Sequence, residues 1–268
     1  PADVSAWHQK LTTSGKLSTR SIRHAHGVLR TALTHAAAIE IVERNVAALI
    51  KPPKPEPTDI KTLTAKEMAD TLTKLEGHPF RTVAAFALGT GARRGEIAAL
   101  RWSDIDNDKA TVRIERALEQ TKTGLRVKMP KTKAGRRTIS LPAFVVTALH
   151  EHRRKQLELR LRLGAGPLPG NAPVFGDVEG NWLSPHLITN RWRRAVSNRK
   201  LRPVTFHALR HTHASALIGA GLDVVSVGTR LGHASPALTL NIYAHLFNNR
   251  DDEAAAAIDA VLHDGNGK

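Results

Sequence analysis

Four prolines fall within the seven residues Lys51-Pro-Pro-Lys-Pro-Glu-Pro57. Proline lacks the backbone donor and fixes φ, so no helix or central strand can run through this stretch. An extended, semi-rigid connector is expected instead. Whatever forms before residue 51 therefore folds separately from whatever forms after about residue 60. The expected organisation is residues 1–50, a linker at 51–60, a large region at 61–249 and a tail at 250–268.

Before the linker, Val4, Trp7 and Leu11 recur at helical spacing, and Gly15 ends that helix. A second helix is expected from Ser18, a suitable N-cap, to about Val42. Ile22, Ala25, Leu29, Ala32, Leu33, Ala36 and Ala37 form its apolar stripe. Arg20, Arg23, His24, Arg30 and His35 occupy the other face, either solvated or set against phosphates. Residues 1–50 are short for a unit that folds alone, and more chain is expected to precede them.

After the linker, Thr64 and Glu67 have the spacing of a capping box. Helices are expected at about 79–89 and from residue 92, the latter carrying Arg93, Glu96, Ile97 and Leu100. Alternation then marks strands at 111–115, 125–129 and 137–141, in one small antiparallel sheet with a basic turn at 131–137. The remainder reads as helices at about 142–161, 184–198, 207–220, 223–230, 235–245 and 250–263. The expected class is mainly α with a small antiparallel sheet.

Charge narrows the partner. Lys and Arg number 40 against 24 Asp and Glu, a formal net charge of +16. Such an excess draws a chain to polyanions. No acidic residue lies between Glu179 and Asp223, a stretch that includes Arg191, Arg193, Arg194, Arg199, Lys200, Arg202 and Arg210. We read it as a nucleic-acid face rather than a merely solvated one. No apolar run is long enough for a bilayer, and the first residues lack the form of a signal peptide. A cytoplasmic or nucleoid location is expected, with no membrane partner. With no Cys, thiolate nucleophiles and Cys-based zinc sites are excluded. His211 and His213, like His24 and His26, are spaced i, i+2, which puts them on different helix faces and suits chelation poorly.

The chain has one tyrosine, Tyr243. Attack on a phosphodiester by a phenol of pKa about 10 needs a base or strong electrostatic help. The non-bridging oxygens gain charge in the transition state, and arginine's planar fork suits them. The departing 5′-oxygen needs a proton, which a lysine or histidine can supply. Tyr243 with Arg93, Arg210, His207, His233 and Lys131 meets that specification without a metal or other cofactor.

These residues sit in ordered motifs. Thr90-Gly-Ala-Arg93-Arg-Gly-Glu96-Ile-Ala-Ala-Leu-Arg-Trp102, Pro130-Lys131-Thr-Lys-Ala-Gly-Arg-Arg-Thr-Ile-Ser-Leu141, His207-Ala-Leu-Arg210-His-Thr-His-Ala-Ser215, Leu231-Gly-His233 and Tyr243 together resemble the boxes of the tyrosine recombinases of the phage integrase family. The resemblance covers nearly all of residues 60–247, and residues 1–50 resemble the later part of that family's helical core-binding domain. It implies Tyr243 as a nucleophile forming a 3′-phosphotyrosyl bond and Arg93 and Arg210 as a phosphate clamp. It implies His207 as general base, His233 as phosphate donor and Lys131 as the acid.

Lys133, two residues along an extended strand, is the alternative acid. Arg94 competes with Arg93, and Glu96 is expected to orient Arg93 from one helical turn away. Arg20, Arg23, Arg30, Lys133, Arg136, Arg137, Arg191 and Arg194 are the expected DNA contacts. The resemblance further implies conservative site-specific recombination, integrating or excising a phage or other mobile element. It implies a homotetramer on double-stranded attachment sites, accessory bending or directionality proteins, and a C-terminal helix docked on a neighbouring protomer. A type IB topoisomerase and a non-enzymatic DNA-binding regulator are the rival readings.

Overall fold

The structure, a computed structural model, describes residues 1–54, 60–130, 133–244 and 259. The chain divides into two compact units, Pro1–Asp59 and Ile60–Lys268. Among the described residues no helix is long and apolar enough to cross a membrane.

The first unit is a helical pair, α1 (Ala2–Thr13) and α2 (Thr19–Ala38), followed by a 3₁₀ turn, Val46–Leu49. Ser18 caps α2 by accepting the Ser21 N–H. Val4 and His8 of α1 and Ile22 and His26 of α2 are buried, and the two imidazoles share a hydrogen bond of 3.1 Å. Helix α2 stops four residues before the expected Val42. The chain turns at Glu40, whose φ is 60°, and Asn45 Nδ2 donates to the Arg30 carbonyl at 2.8 Å.

The second unit is mostly helical. Thr64 and Glu67 form the expected capping box at the start of α3 (Ala65–Lys74). Helix α4 (Arg81–Thr90) is buried from Val83 to Thr90, consistent with an apolar run that has no polar face. It packs against α6 (Ala143–Arg162) and α8 (Phe206–Gly219). Phe80, Trp192 and Phe206 meet in an aromatic cluster, and Trp192 Nε1 donates to the Val204 carbonyl at 2.8 Å. Helix α7 (Pro185–Asn198) carries Trp192 into this core. The short α9 (Val224–Leu231) and α10 (Pro236–Tyr243) close a second apolar cluster of Ala214, Ile218, Val227, Leu231 and Tyr243.

The strand reading needs correction. The structure has two sheets rather than one. Strands β1 (Ile105–Asp106), β2 (Thr111–Ile114) and β5 (Arg137–Ser140) form an antiparallel sheet in the order β1-β2-β5. Strands β3 (Ala117–Thr121) and β4 (Gly124–Lys128) form a separate hairpin. The segment at 125–129 pairs with β3, in the register Leu118↔Val127, and not with β5. Lys133 does not continue an extended strand but opens a 3₁₀ turn, Lys133–Gly135. The helix expected at 250–263 lies outside the described residues, apart from residue 259.

Candidate active site

Two glycines build the frame. Helix α4 ends at Gly91, whose φ of 64° is left-handed and places its carbonyl at the helix end. Helix α9 ends in the same way at Gly232, with φ 67°. Neither position has room for a side chain. A Cβ on Gly91 would lie 2.6 Å from His213 Cδ2, and one on Gly232 would lie 2.7 Å from Arg137 Nη1.

The end of α9 leaves three successive carbonyls without partners in the helix, and an arginine meets each. Arg137 Nε donates to Arg230 O at 2.8 Å, Arg210 Nη2 to Leu231 O at 2.8 Å, and Arg93 Nη2 to Gly232 O at 3.1 Å. The negative end of the helix dipole favours this gathering of cations. Arg210 Nη1 also donates to Gly91 O at 2.7 Å, so one buried guanidinium joins the ends of α4 and α9. Burial, then the nearby Arg93, lowers the Arg210 pKa to about 9, which leaves it charged at neutral pH.

Glu96 lies beneath the cluster. Its carboxylate accepts from Arg93 Nη1 at 2.9 Å, from Arg137 Nη2 at 2.9 Å and from the Arg93 backbone N–H at 2.8 Å. Burial alone would raise its pKa. The hydrogen bond and charge of Arg137, with those of Arg93, outweigh burial and hold it below the ordinary range. Three guanidiniums against one carboxylate leave a local excess of positive charge suited to a phosphodiester.

Arg93 does not sit within a helix, as its spacing suggested. It is the extended N-cap of α5 (Arg94–Ala98), with ψ 150°. Arg94 turns elsewhere, donating to Thr189 Oγ1 at 2.7 Å. Arg137, expected at a DNA surface, is placed differently. Its side chain is 6% exposed and is committed to Glu96 and the end of α9. Seen from the sequence it was one of two arginines in a basic turn, and nothing local distinguished it from exposed Arg136.

The histidines follow from α8. His207 stands near its N-terminus and is partly exposed. Desolvation, then the charges of Arg210, Arg93 and Arg94, lowers its pKa. His211 is one turn on, with its ring edge-to-face against His207 at 4.8 Å between centroids. His211 Nδ1 lies 2.7 Å from the hydroxyl of Tyr243, the last residue of α10. The sequence offered His211 only as half of a poorly chelating pair with His213. Its i, i+4 relation to His207 was the available signal, since that spacing puts both on one face. His213 takes a structural place, with Nδ1 on Leu88 O at 2.7 Å and Nε2 accepting from Arg230 Nε at 3.1 Å.

Tyr243 is 2% exposed. Burial pushes its phenol up to about 12, and Arg210 opposes that rise. His233 follows Gly232 and pairs through Nδ1 with Thr239 Oγ1 at 2.7 Å. Burial, then Arg210 and Arg93, brings the His233 pKa down to about 4.

The structure thus brings together Arg93, Arg210, His207, His233 and Tyr243, with Glu96, Arg137 and His211 added. Lys131 lies outside the described residues. Arg20, Arg23 and Arg30 are exposed on α2. Arg191 and Arg194 line a cavity of about 840 Å³ between α4, α6 and α7, whose walls include none of the clustered residues.

The phage integrase family's profile matches residues 61–250. A tyrosine recombinase XerC-like protein of Caldanaerobacter subterraneus subsp. tengcongensis is 28% identical over 97% of this chain and 70% of its own length. A putative prophage phiRv2 integrase of Mycobacterium tuberculosis is 27% identical over 97% of this chain and 67% of its own length. In fold, the chain matches the Tn1549 transposon integrase in complex with a circular intermediate DNA. The TM-score is 0.80 at 21% identity, over 97% of this chain and 84% of that one. A lambda integrase tetramer bound to a Holliday junction matches with TM-score 0.63 at 21% identity, over 93% of this chain and 66% of that one.

The class these findings define is that of enzymes that break and rejoin DNA strands through a tyrosine. The chain belongs to the phage integrase family. It is a site-specific tyrosine recombinase, and nothing favours the topoisomerase or the non-enzymatic regulator.

Proposed function

We propose that Tyr243 is the nucleophile of this recombinase, and that Arg93 and Arg210 hold the phosphate it attacks. The tyrosine oxygen would bond to phosphorus as the 5′-oxygen leaves, giving a 3′-phosphotyrosyl link that stores the energy of the broken bond. The observation that carries this reading is the convergence of Arg93 and Arg210, 117 positions apart in the chain, on the end of the helix that leads to the tyrosine. Each guanidinium has five N–H groups. Each gives two of its nitrogens to protein acceptors, which leaves N–H groups for phosphate oxygens.

His233 is the further donor to the phosphate, and Lys131 the acid for the 5′-oxygen. His207, the base implied by resemblance, stands one helical turn from the hydroxyl's own hydrogen-bond partner. Arg20, Arg23, Arg30, Lys133, Arg136, Arg191 and Arg194 are proposed DNA contacts, while Arg137 serves the site from within. Residues 1–50 would be the later part of a core-binding domain. We infer integration or excision of a phage or other mobile element, by a homotetramer with accessory bending or directionality proteins, in the cytoplasm at the nucleoid.

A duplex nicked opposite the scissile bond traps covalent enzyme and tests the nucleophile. Tyr243→Phe removes one oxygen and little packing, so it should bind this duplex as the wild type does and form no adduct. An adduct on the variant would remove Tyr243 from the role.

A further inference from the structure

We propose that His211 is a further catalytic residue, the general base that takes the phenolic proton of Tyr243. The inference rests on Tyr243 being the nucleophile. Its basis is geometric, because the hydroxyl has its hydrogen bond to His211 Nδ1 at 2.7 Å. The rings lie 5.8 Å apart between centroids at 58°, so the contact is made by the hydroxyl at the ring edge and not by stacking. Helix α8 holds the imidazole and α10 holds the phenol, and Tyr243 is buried beside Ala214 and Ile218 of α8. This packing fixes donor and acceptor together.

The charges around His211 explain when it can act. His207 and Arg210 face it from α8, His233 from the turn after α9, and Tyr243 from α10. Burial, then His207 and Arg210, lowers its pKa to about 4. The ring is neutral at pH 7, and with the proton on Nε2 its Nδ1 lone pair accepts from the phenol. A phosphate docked on Arg210 brings negative charge beside one of the groups that oppose protonation, so it raises the His211 pKa. The substrate itself makes the base competent.

The step balances. As the Tyr243 Oη–P bond forms and the P–O5′ bond breaks, the phenolic proton passes to His211 Nδ1. The 5′-oxygen takes a separate proton from the acid. In rejoining, the 5′-hydroxyl attacks phosphorus and gives its proton back to the conjugate base of the acid, the tyrosine oxygen leaves, and the His211 imidazolium returns its proton to that oxygen.

His211→Asn tests the assignment. The Asn Oδ1 sits at the same bond distance from Cα as His Nδ1, so it can accept the tyrosine hydrogen bond but cannot take the proton. Single-turnover adduct formation on the nicked duplex would be followed from pH 5.5 to 9, with DNA affinity measured alongside. General-base loss costs roughly 10²–10⁴ in rate. The expected variant binds normally, forms adduct slower by that factor, and gains rate through the alkaline range where the wild type levels off. A variant that keeps the wild-type rate overturns the proposal. So does one that is slowed but keeps the wild-type pH profile, because that marks packing only. A reshaped profile in His207→Asn but not in His211→Asn would put the base at His207 and overturn it too. Peptide mapping of the wild-type adduct in the same assay separates the two layers. An adduct away from Tyr243 removes the nucleophile, whereas an adduct at Tyr243 with His211→Asn unaffected removes only the base.

Discussion

Arg210 spans two helix ends with one planar group, giving one Nη to Gly91 O and the other to Leu231 O. A lysine's single ammonium cannot reproduce that fork. Arg210→Lys should therefore slow adduct formation by roughly 10²–10³, the usual cost of one transition-state donor, with DNA affinity little changed. Near-native cleavage in a rapid-quench assay would count against the clamp. Glu96 is the residue whose effect depends on pH. Its folded-state pKa is depressed, so its stabilisation is fully present above the unfolded glutamate value, about 4.3. That contribution is lost as pH falls through the folded value. Glu96→Gln should cost about 3 kcal/mol at pH 7, as for other broken buried ion pairs. The gap between the two proteins' melting temperatures should narrow as the pH is taken below 4. A gap that is constant across this range would mean that Glu96 carries no charge-dependent load. These roles were only partly legible in the sequence. Arg93 and Glu96 could be paired from their spacing. Arg137 could not be assigned, and the spacing of His211 from His207 gave no sign of Tyr243, since the partners lie 41 and 32 positions away.

At the scale of elements, the end of α9 organises the site, and Gly232 makes that end possible. Gly232→Ala would put a side chain at φ 67°, with its Cβ 2.7 Å from Arg137 Nη1 and 3.0 Å from Ala134 O. The left-handed conformation alone costs about 1 kcal/mol, and the crowding adds to it. The variant should melt lower and cleave slowly, while Gly180→Ala, with open space around its Cβ, should melt lower but cleave normally. Equal cleavage by both would separate the α9 end from the chemistry. The helices of the second unit were legible because their apolar periodicity and caps act locally. An example is the Thr64–Glu67 box. Strand β3 was missed because Ala117-Leu-Glu-Gln-Thr121 alternates weakly and is held by its pairing with β4. The pairing of β5 was not legible for a related reason. The sheet joins it to β2 across the intervening hairpin, and such non-local pairing leaves no mark on sequence periodicity.

For the whole molecule, the net charge of +16 predicts binding dominated by phosphate contacts. The logarithm of the binding constant should fall with the logarithm of salt concentration, with a slope near −0.9 per neutralised phosphate. A flat response in fluorescence anisotropy would remove the basic surface from the account. The central claim is that one residue, Tyr243, joins the DNA. Digestion of the trapped complex and mass mapping of the nucleotide-bearing peptide tests it most directly. The account predicts a 3′-phosphonucleotide on the peptide containing Tyr243 and none from Tyr243→Phe. A nucleotide on any other residue, or a trapped complex from the variant, would contradict it.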